Sequence, residues 1–472
     1  MIERFAPRHN PELRRDLGSI LKLGLPLVVN NLAISAMGLA DTVITGHYAT
    51  HDQAAVSIGF NYYQIFYLAG LGVLMAVSPI TAHAYGAGRH RSVGDFTRQA
   101  LWLSFGLALA LIATMLLLFA PVMRLVGVDP AIVPLAHQYV RAMAFGLPGI
   151  LAFLALRYTS EGLGRTRPAM YASVLGLAAT VLFDYVLVFG KLGLPALGAL
   201  GCGITTVFVK WLMFASLLYY IRRRRFFRPF ELFHAFAWPN RERLREIVAL
   251  GLPIAGSVSA EGTLFSVAGL IMGSFGAQTV AAHQSALSYA SLMFMVPLAM
   301  HSATTVYVGH ANGRGEPAAA RRAGFAGIAL CTAIMTVSAI VILCGHEWIA
   351  RLYSRDPIVQ GLTASLLLLA GIFQIGDGLQ VGAAGALRGF RDTRVPMLLN
   401  VIAYWAIGFP LAYGLGVAAH FGPRGVWWGL IAGILACACL LNLRYRSVSL
   451  RVVRTAAIMP SRPDHPNDQS VR

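Results

Sequence analysis

Apolar stretches alternate with short polar gaps along almost the whole chain. Twelve of them, near 18–46, 53–80, 98–122, 134–157, 168–190, 197–221, 246–273, 279–308, 323–345, 358–387, 395–417 and 425–443, are long enough to span a bilayer, which takes roughly 20 residues of helix. Isolated strands cannot satisfy their backbone in lipid, so the pattern predicts helices. The expectation is an all-α membrane protein with twelve transmembrane helices.

The polar gaps carry a charge bias. Gaps on one side hold Arg89, Arg91 and Arg98; Arg165 and Arg167; Arg222–Arg225 with Arg228, Arg241, Arg243 and Arg245; Arg314, Arg321 and Arg322; and Arg388, Arg391 and Arg394. The opposite gaps hold Arg124, Lys191, Arg351, Arg355 and Arg424. Basic residues favour the cytoplasmic side, so both termini are expected in the cytoplasm. The net charge of +18 would suggest nucleic-acid binding in a soluble protein. Only 12% of residues are charged and 57% are hydrophobic, so membrane topology explains the charge and no nucleic-acid partner is expected. The polar start lacks a cleavage pattern, which predicts no cleaved leader. The five cysteines lie in apolar runs without a CxxC pair, which predicts neither disulfides nor a structural metal site.

The chain also repeats at an offset of 227. "LGLP" at Leu23–Pro26 returns at Leu250–Pro253, Gly46 pairs with Gly273, Ala54–Ala55 with Ala281–Ala282, and "AYGAG" with "ANGRG". "EGLGRTRPAM" pairs with "RGFRDTRVPM". Each repeat holds six spans, so both halves cross in the same sense, one of the plans of secondary transporters. The expected organisation is a tail at 1–17, a first lobe at 18–221, a linker at 222–245, a second lobe at 246–445 and a tail at 446–472, the two pseudo-symmetric lobes flanking a central cleft.

Four acids sit where lipid would exclude them: Asp41, Asp184, Glu261 and Asp377. Charge at that depth costs several kcal/mol and marks functional candidates. Asp41 and Asp184 fall in the outer half of the first lobe, with one cavity in reach of both. Glu261 and Asp377 lie near the middle of spans 7 and 10. At the repeat offset, Asp41 faces Ala268, Glu261 faces Ile34 and Asp377 faces Ile150, so the scaffold is duplicated and the carboxylates are not. Lys210 is either a counter-ion to Asp184 or Asp41 or a snorkelling cation, and Arg157 is expected to snorkel. A carboxyl group in low dielectric can take up a proton, or bind Na⁺ where other oxygens complete the shell. A cationic organic substrate competes for the same charge, which is enough for antiport. No GxxxxGK[ST] loop holds ATP phosphates, so an ion gradient must drive transport and no cofactor is expected. His47, His83, His283, His301 and His310 show no ligand spacing and read as local hydrogen-bonding groups. Most of the aromatics (Tyr62, Tyr63, Phe66, Tyr67, Tyr289, Phe294, Tyr404, Trp405) read as packing, with some lining a pocket for planar cations.

These features resemble the MATE family (multidrug and toxic compound extrusion), in its NorM-like branch. The resemblance rests on "LGLPLVVNNLAISAMGLADTVITGHY", "AVSPITAHAYGAG", "LGLPIAGSVSAEGTLF", "AAHQSALSYASLMFMVPLAM", "VGHANG" and "VGAAGALRGFRDTRVPM". It implies two six-helix lobes in a V, and export of cationic, aromatic compounds in exchange for H⁺ or Na⁺ by a monomer in the bacterial inner membrane. It implies coupling roles for Asp41, Glu261 and Asp377, with possible Na⁺ at the last two. Asn30, Thr180, Lys210, Gln284, Tyr289 and Phe373 are supporting positions. Phe373 stands where relatives often have Tyr, Thr180 replaces a frequent Asn, and Asp184 stands where many have Asn. The second-lobe site thereby loses an oxygen and the first gains a titratable group, which tilts the expectation towards protons.

Two other readings compete. A flippase for lipid-linked precursors would line its cleft with bases, whereas the deep groups here are mainly acids. An intramembrane aspartyl enzyme would need paired acids in a GxGD-type motif, which is absent, so no enzymatic activity is expected.

Overall fold

The computed structural model describes residues 11–48, 50–130, 132–191, 193, 195–233 and 237–458. These residues are almost entirely helical, with no strand among them. We number the spans α1 (Pro11–Tyr48), α2 (Thr50–Leu74 and Val77–Gly86), α3 (His90–Val126), α4 (Val133–Ala144 and Leu147–Gly162), α5 (Arg167–Phe189) and α6 (Gly198–Arg223). The second set is α7 (Arg241–Gly273), α8 (Ala277–Gly313), α9 (Pro317–Tyr353), α10 (Pro357–Gly389), α11 (Arg394–Ala418) and α12 (Gly422–Ile458).

The repeat is visible in where helices start and stop. Thr50 and Ala277, His90 and Pro317, and Arg167 and Arg394 begin helices 227 residues apart. Gly86 and Gly313, Val126 and Tyr353, and Gly162 and Gly389 end them at the same spacing. The apolar interior divides accordingly. One cluster is built almost wholly from α2–α6 and includes Leu74, Phe119, Phe153 and Met213. Another is built from α7–α12 and includes Leu264, Leu367, Trp427 and Tyr445. Large apolar side chains such as Leu109, Leu117, Val337 and Ile340 are exposed on the outer faces, as expected of surfaces that meet lipid.

The halves differ in their breaks, and each break lies just ahead of a proline that the other half lacks. Proline lacks an N–H and clashes with the carbonyl four residues earlier. α2 breaks at Met75–Ala76, four residues before Pro79, and α4 breaks after Ala144, four residues before Pro148, with a 44° bend. At the repeat offset the second half has Val306 and Ile375, and α8 and α10 run unbroken. In α11 the stretch Ile402–Gly408 widens to a π-helix just ahead of Pro410, which relieves the same clash.

The lobes meet through reciprocal small-residue contacts. A side chain at Gly24 would strike Met300, and one at Gly251 would strike the backbone of Val73. Likewise Gly86 lies against the backbone of His310 and Gly313 against that of His83. Toward the same end, the start of α1 is clasped to the second lobe. Arg322 pairs with Glu12 (2.5 Å) and Asp16 (2.8 Å), and the Tyr307 hydroxyl donates to Asp16 (3.0 Å). Ile20, Met300, Ala303 and Cys331 pack beneath this clasp.

Helix ends extend beyond the expected spans. α1 is already helical at Pro11, the first described residue, and the clasp holds Glu12 and Asp16, both expected in the 1–17 tail; residues 1–10 of that tail lie outside the described residues. α12 continues to Ile458, past the expected boundary at 446, and near that boundary Tyr445 donates to the Arg321 carbonyl (2.8 Å) and packs on Phe325. Helix also reaches into both ends of the expected linker. α6 runs to Arg223, and α7 starts at Arg241, where Asn240 caps it by accepting from the N–H groups of Glu242 and Arg243. Residues 459–472 lie outside the described residues.

Candidate functional site

In the first lobe, α1 carries Asp41, α5 carries Asp184 and α6 carries Cys202, all buried. One carboxylate oxygen from each acid and the Cys202 Sγ lie within 4.8 Å of one another. The Thr206 hydroxyl is shared between the Cys202 carbonyl (2.9 Å) and Asp41 Oδ2 (3.4 Å). Asp184 is fully buried and neighbours the Asp41 carboxyl and Thr205. Neither gives it a hydrogen bond of ordinary geometry, and both of its oxygens are left over, as are Asp41 Oδ1 and the Tyr139 hydroxyl. Buried polar groups are normally paired, so this concentration of unpartnered atoms makes the cluster the candidate site of the first lobe. Thr180, one turn from Asp184, is buried on α5.

Of the two roles expected of Lys210, the structure removes snorkelling and leaves its charge acting on Asp41 without a direct ion pair. It is buried, so it does not snorkel, and no ion pair holds it. Its Nζ lies 4.0 Å from the Tyr63 ring centroid and 3.7 Å from Met143 Sδ. Gly146, in the break of α4, makes room for it, because a side chain there would strike the Lys210 stem.

The expectation for Arg157 is overturned. Arg157 is buried and donates to Glu161 (2.6 Å), whose side chain is fully buried, rather than reaching for the interface. Its guanidinium also reaches Asn31 Oδ1 (3.2 Å) and, with the Asn30 amide oriented to suit its neighbours, the Asn30 oxygen (3.0 Å). The Asn30 nitrogen then donates to Ser173 (2.6 Å) and Asn31 to the Met295 carbonyl (3.4 Å). One network therefore ties α4 to α1, α5 and the second lobe. Sequence reading missed Glu161. Its spacing of four residues from Arg157 on one helix face was the available signal.

In the second lobe, Asp377 on α10 is buried with Oδ1 unpartnered. Glu261 on α7 is half-buried and close enough for its charge to act on Asp377. Gln374, one turn before Asp377, is fully buried with both amide atoms unpartnered, and Gln380 Oε1 is unpartnered as well. Phe373 packs edge-on against Phe265 and Trp427. Gln284 is exposed, and Tyr289 is half-buried, packed against the second-lobe core. Among the histidines, His47, His301 and His310 bond backbone carbonyls as expected. His283 does not: it is buried against Trp427 with neither ring nitrogen bonded. Gln374 and His283 carry no sequence signal that separates them from packing residues. The four acids thus form two pairs, one per lobe.

The MatE family profile matches residues 26–186 and again 253–414, two matches at the spacing of the repeat. The multidrug resistance protein PmpM of Pseudomonas aeruginosa is 38% identical over 94% of each chain. The probable multidrug resistance protein NorM of Xanthomonas campestris pv. campestris is 40% identical over 97% of this chain and 99% of its own. Among solved structures, the eukaryotic MATE transporter AtDTX14 superposes with a TM-score of 0.85 at 19% identity, covering 94% of this chain and all of that one. With the fold, the duplicated match and relatives aligned nearly end to end, the conclusion is that this chain belongs to the MATE family.

Proposed function

We propose that the protein is a multidrug exporter that moves cationic, aromatic organic compounds out across a bacterial cytoplasmic membrane in exchange for H⁺ or Na⁺, as a monomer with both termini in the cytoplasm. The observation that carries this reading is the pair of acids in each lobe, of which Asp41, Asp184 and Asp377 are buried with carboxyl oxygens left without partners. Two carboxylates at close range repel when both are ionised, so a proton or sodium ion between them relieves the repulsion. A cationic drug supplies the same relief, and the two then exclude one another. The relatives' names as multidrug resistance proteins support drug export.

Protons suit the first-lobe pair, which has two titratable carboxyls at one place. The second-lobe chamber, with Asp377, Glu261 and the amide oxygens of Gln374 and Gln380, suits either ion. The flippase reading gains no support. Arg157 is spent on Glu161 and Lys210 rests on Tyr63, which leaves neither base open for a pyrophosphate. The test is purified protein in liposomes loaded with a planar cationic dye. The pH and Na⁺ gradients are imposed separately. Dye movement driven by at least one gradient is expected, and none under either would overturn the reading.

A further inference from the structure

Cys202 sits in the first-lobe pocket for no reason that proton or sodium coupling supplies. Sodium, like other hard cations, prefers oxygen ligands to sulfur, and a thiol adds nothing to proton exchange between carboxyls. A thiolate beside two carboxylates is the donor set of a softer ion that accepts four ligands. We propose that Asp41, Asp184 and Cys202 form a binding site for a thiophilic divalent cation, Zn²⁺ or Cd²⁺, which occupies the pocket in place of the coupling ion and arrests the transporter.

Geometry, charge and leftover bonding capacity all support the site. Metal–ligand distances of about 2.0–2.3 Å place the donors of a tetrahedral site about 3.3–3.8 Å apart. The three atoms here lie within 4.8 Å of one another, so side-chain rotations of about an ångström close the shell. The Tyr139 hydroxyl, fully buried and without a partner, neighbours all three groups and is the nearby candidate for the fourth position. Both oxygens of Asp184 are unpartnered as well, so binding breaks no hydrogen bond of that residue. Charge also balances. Two carboxylates and one thiolate offset the doubly charged ion together with Lys210, so no net charge is left in the low-dielectric interior. When the sulfur–metal bond forms, the thiol proton departs to solvent, and any proton held by the carboxyls leaves with it. The neighbouring Thr206 hydroxyl already touches both Asp41 and the Cys202 carbonyl, which holds α1 and α6 at the right separation.

The proposal rests on the functional reading only in assuming that the pocket opens to an ion from one side. The experiment uses the full-length protein in lipid nanodiscs, titrated with Cd²⁺. Expected are a cadmium–thiolate charge-transfer band saturating at one ion per protein and proton release into weak buffer. Cys202→Ser should abolish the band. Asp184→Asn should weaken Cd²⁺ binding by about tenfold or more, since even outer-shell changes at metal sites cost that much. Cys344→Ser, which removes an exposed thiol, should leave binding as in the wild type. A band that survives Cys202→Ser, or affinity unchanged by Asp184→Asn, overturns the site. If Cys202→Ser does not fold, the Asp184→Asn affinity decides alone. In liposomes, micromolar Cd²⁺ should block dye efflux by the wild type, and block whatever efflux Cys202→Ser retains far less. The binding measurement needs no transport, so a failed functional reading leaves it standing. A failed metal site leaves drug efflux untouched.

Discussion

Asp377 and Glu261 are single-copy residues on a duplicated scaffold, and that asymmetry was readable from the repeat offset alone. Asp377→Asn and Glu261→Gln should each bring drug resistance of expressing cells close to the empty-vector level at wild-type expression. Full resistance in both variants would reduce these acids to structural groups. Arg157 shows where the reading failed. A lone arginine near a helix end snorkels on ordinary expectation, and only the fold reveals that Asn30, Asn31 and Glu161 converge on it. Removing one partner of a buried pair costs about 3–5 kcal/mol, while replacing both by apolar groups is often neutral. Glu161→Met should therefore lower the thermal unfolding temperature in detergent more than the double substitution Arg157→Met with Glu161→Met. Equal losses would mean that the pair is not coupled.

Helix positions were legible because lipid demands long apolar runs, whereas the breaks were not. Pro26, Pro253 and Pro297 sit inside continuous helices, while Pro79 and Pro148 follow breaks, so proline alone does not announce which helix will yield. Gly146, in the α4 break, has a local use, since it leaves the space in which the Lys210 stem lies. Gly146→Val should push Lys210 off Tyr63 and reduce dye efflux as strongly as Lys210→Met. Efflux equal to wild type in both would take Lys210 out of the transport cycle. The Asp41–Asp184 pair likewise depends on α1, α5 and α6 meeting at one depth, which topology suggested and packing delivers. Asp184→Asn should shift the dependence of efflux on external pH, and an unchanged profile in a proton-driven protein would leave Asp184 structural.

At the scale of the whole molecule, the lobes are joined by backbones in near contact. Adding a methyl group at Gly86 or Gly313 forces main chain apart, so Gly86→Ala and Gly313→Ala should each destabilise by about 1–3 kcal/mol, the usual cost of overpacking. Gly262→Ala, on α7 with open space around it, is the control and should not destabilise. Denaturant or thermal unfolding in detergent checks all three. The seam was not legible in the sequence, because a glycine in an apolar run looks the same whether it faces lipid or another helix. The seam's contacts come in matched pairs: Gly24 on Met300 with Gly251 on Val73, and Gly86 on His310 with Gly313 on His83. In each pair the partners trade places at the spacing of 227, as the surfaces of a symmetric dimer do. The seam thus has the two-fold form of a homodimer interface, carried within one polypeptide. Between the halves the carboxylates and the prolines of the breaks differ, while the glycines that bring the two lobes into close contact recur at both positions.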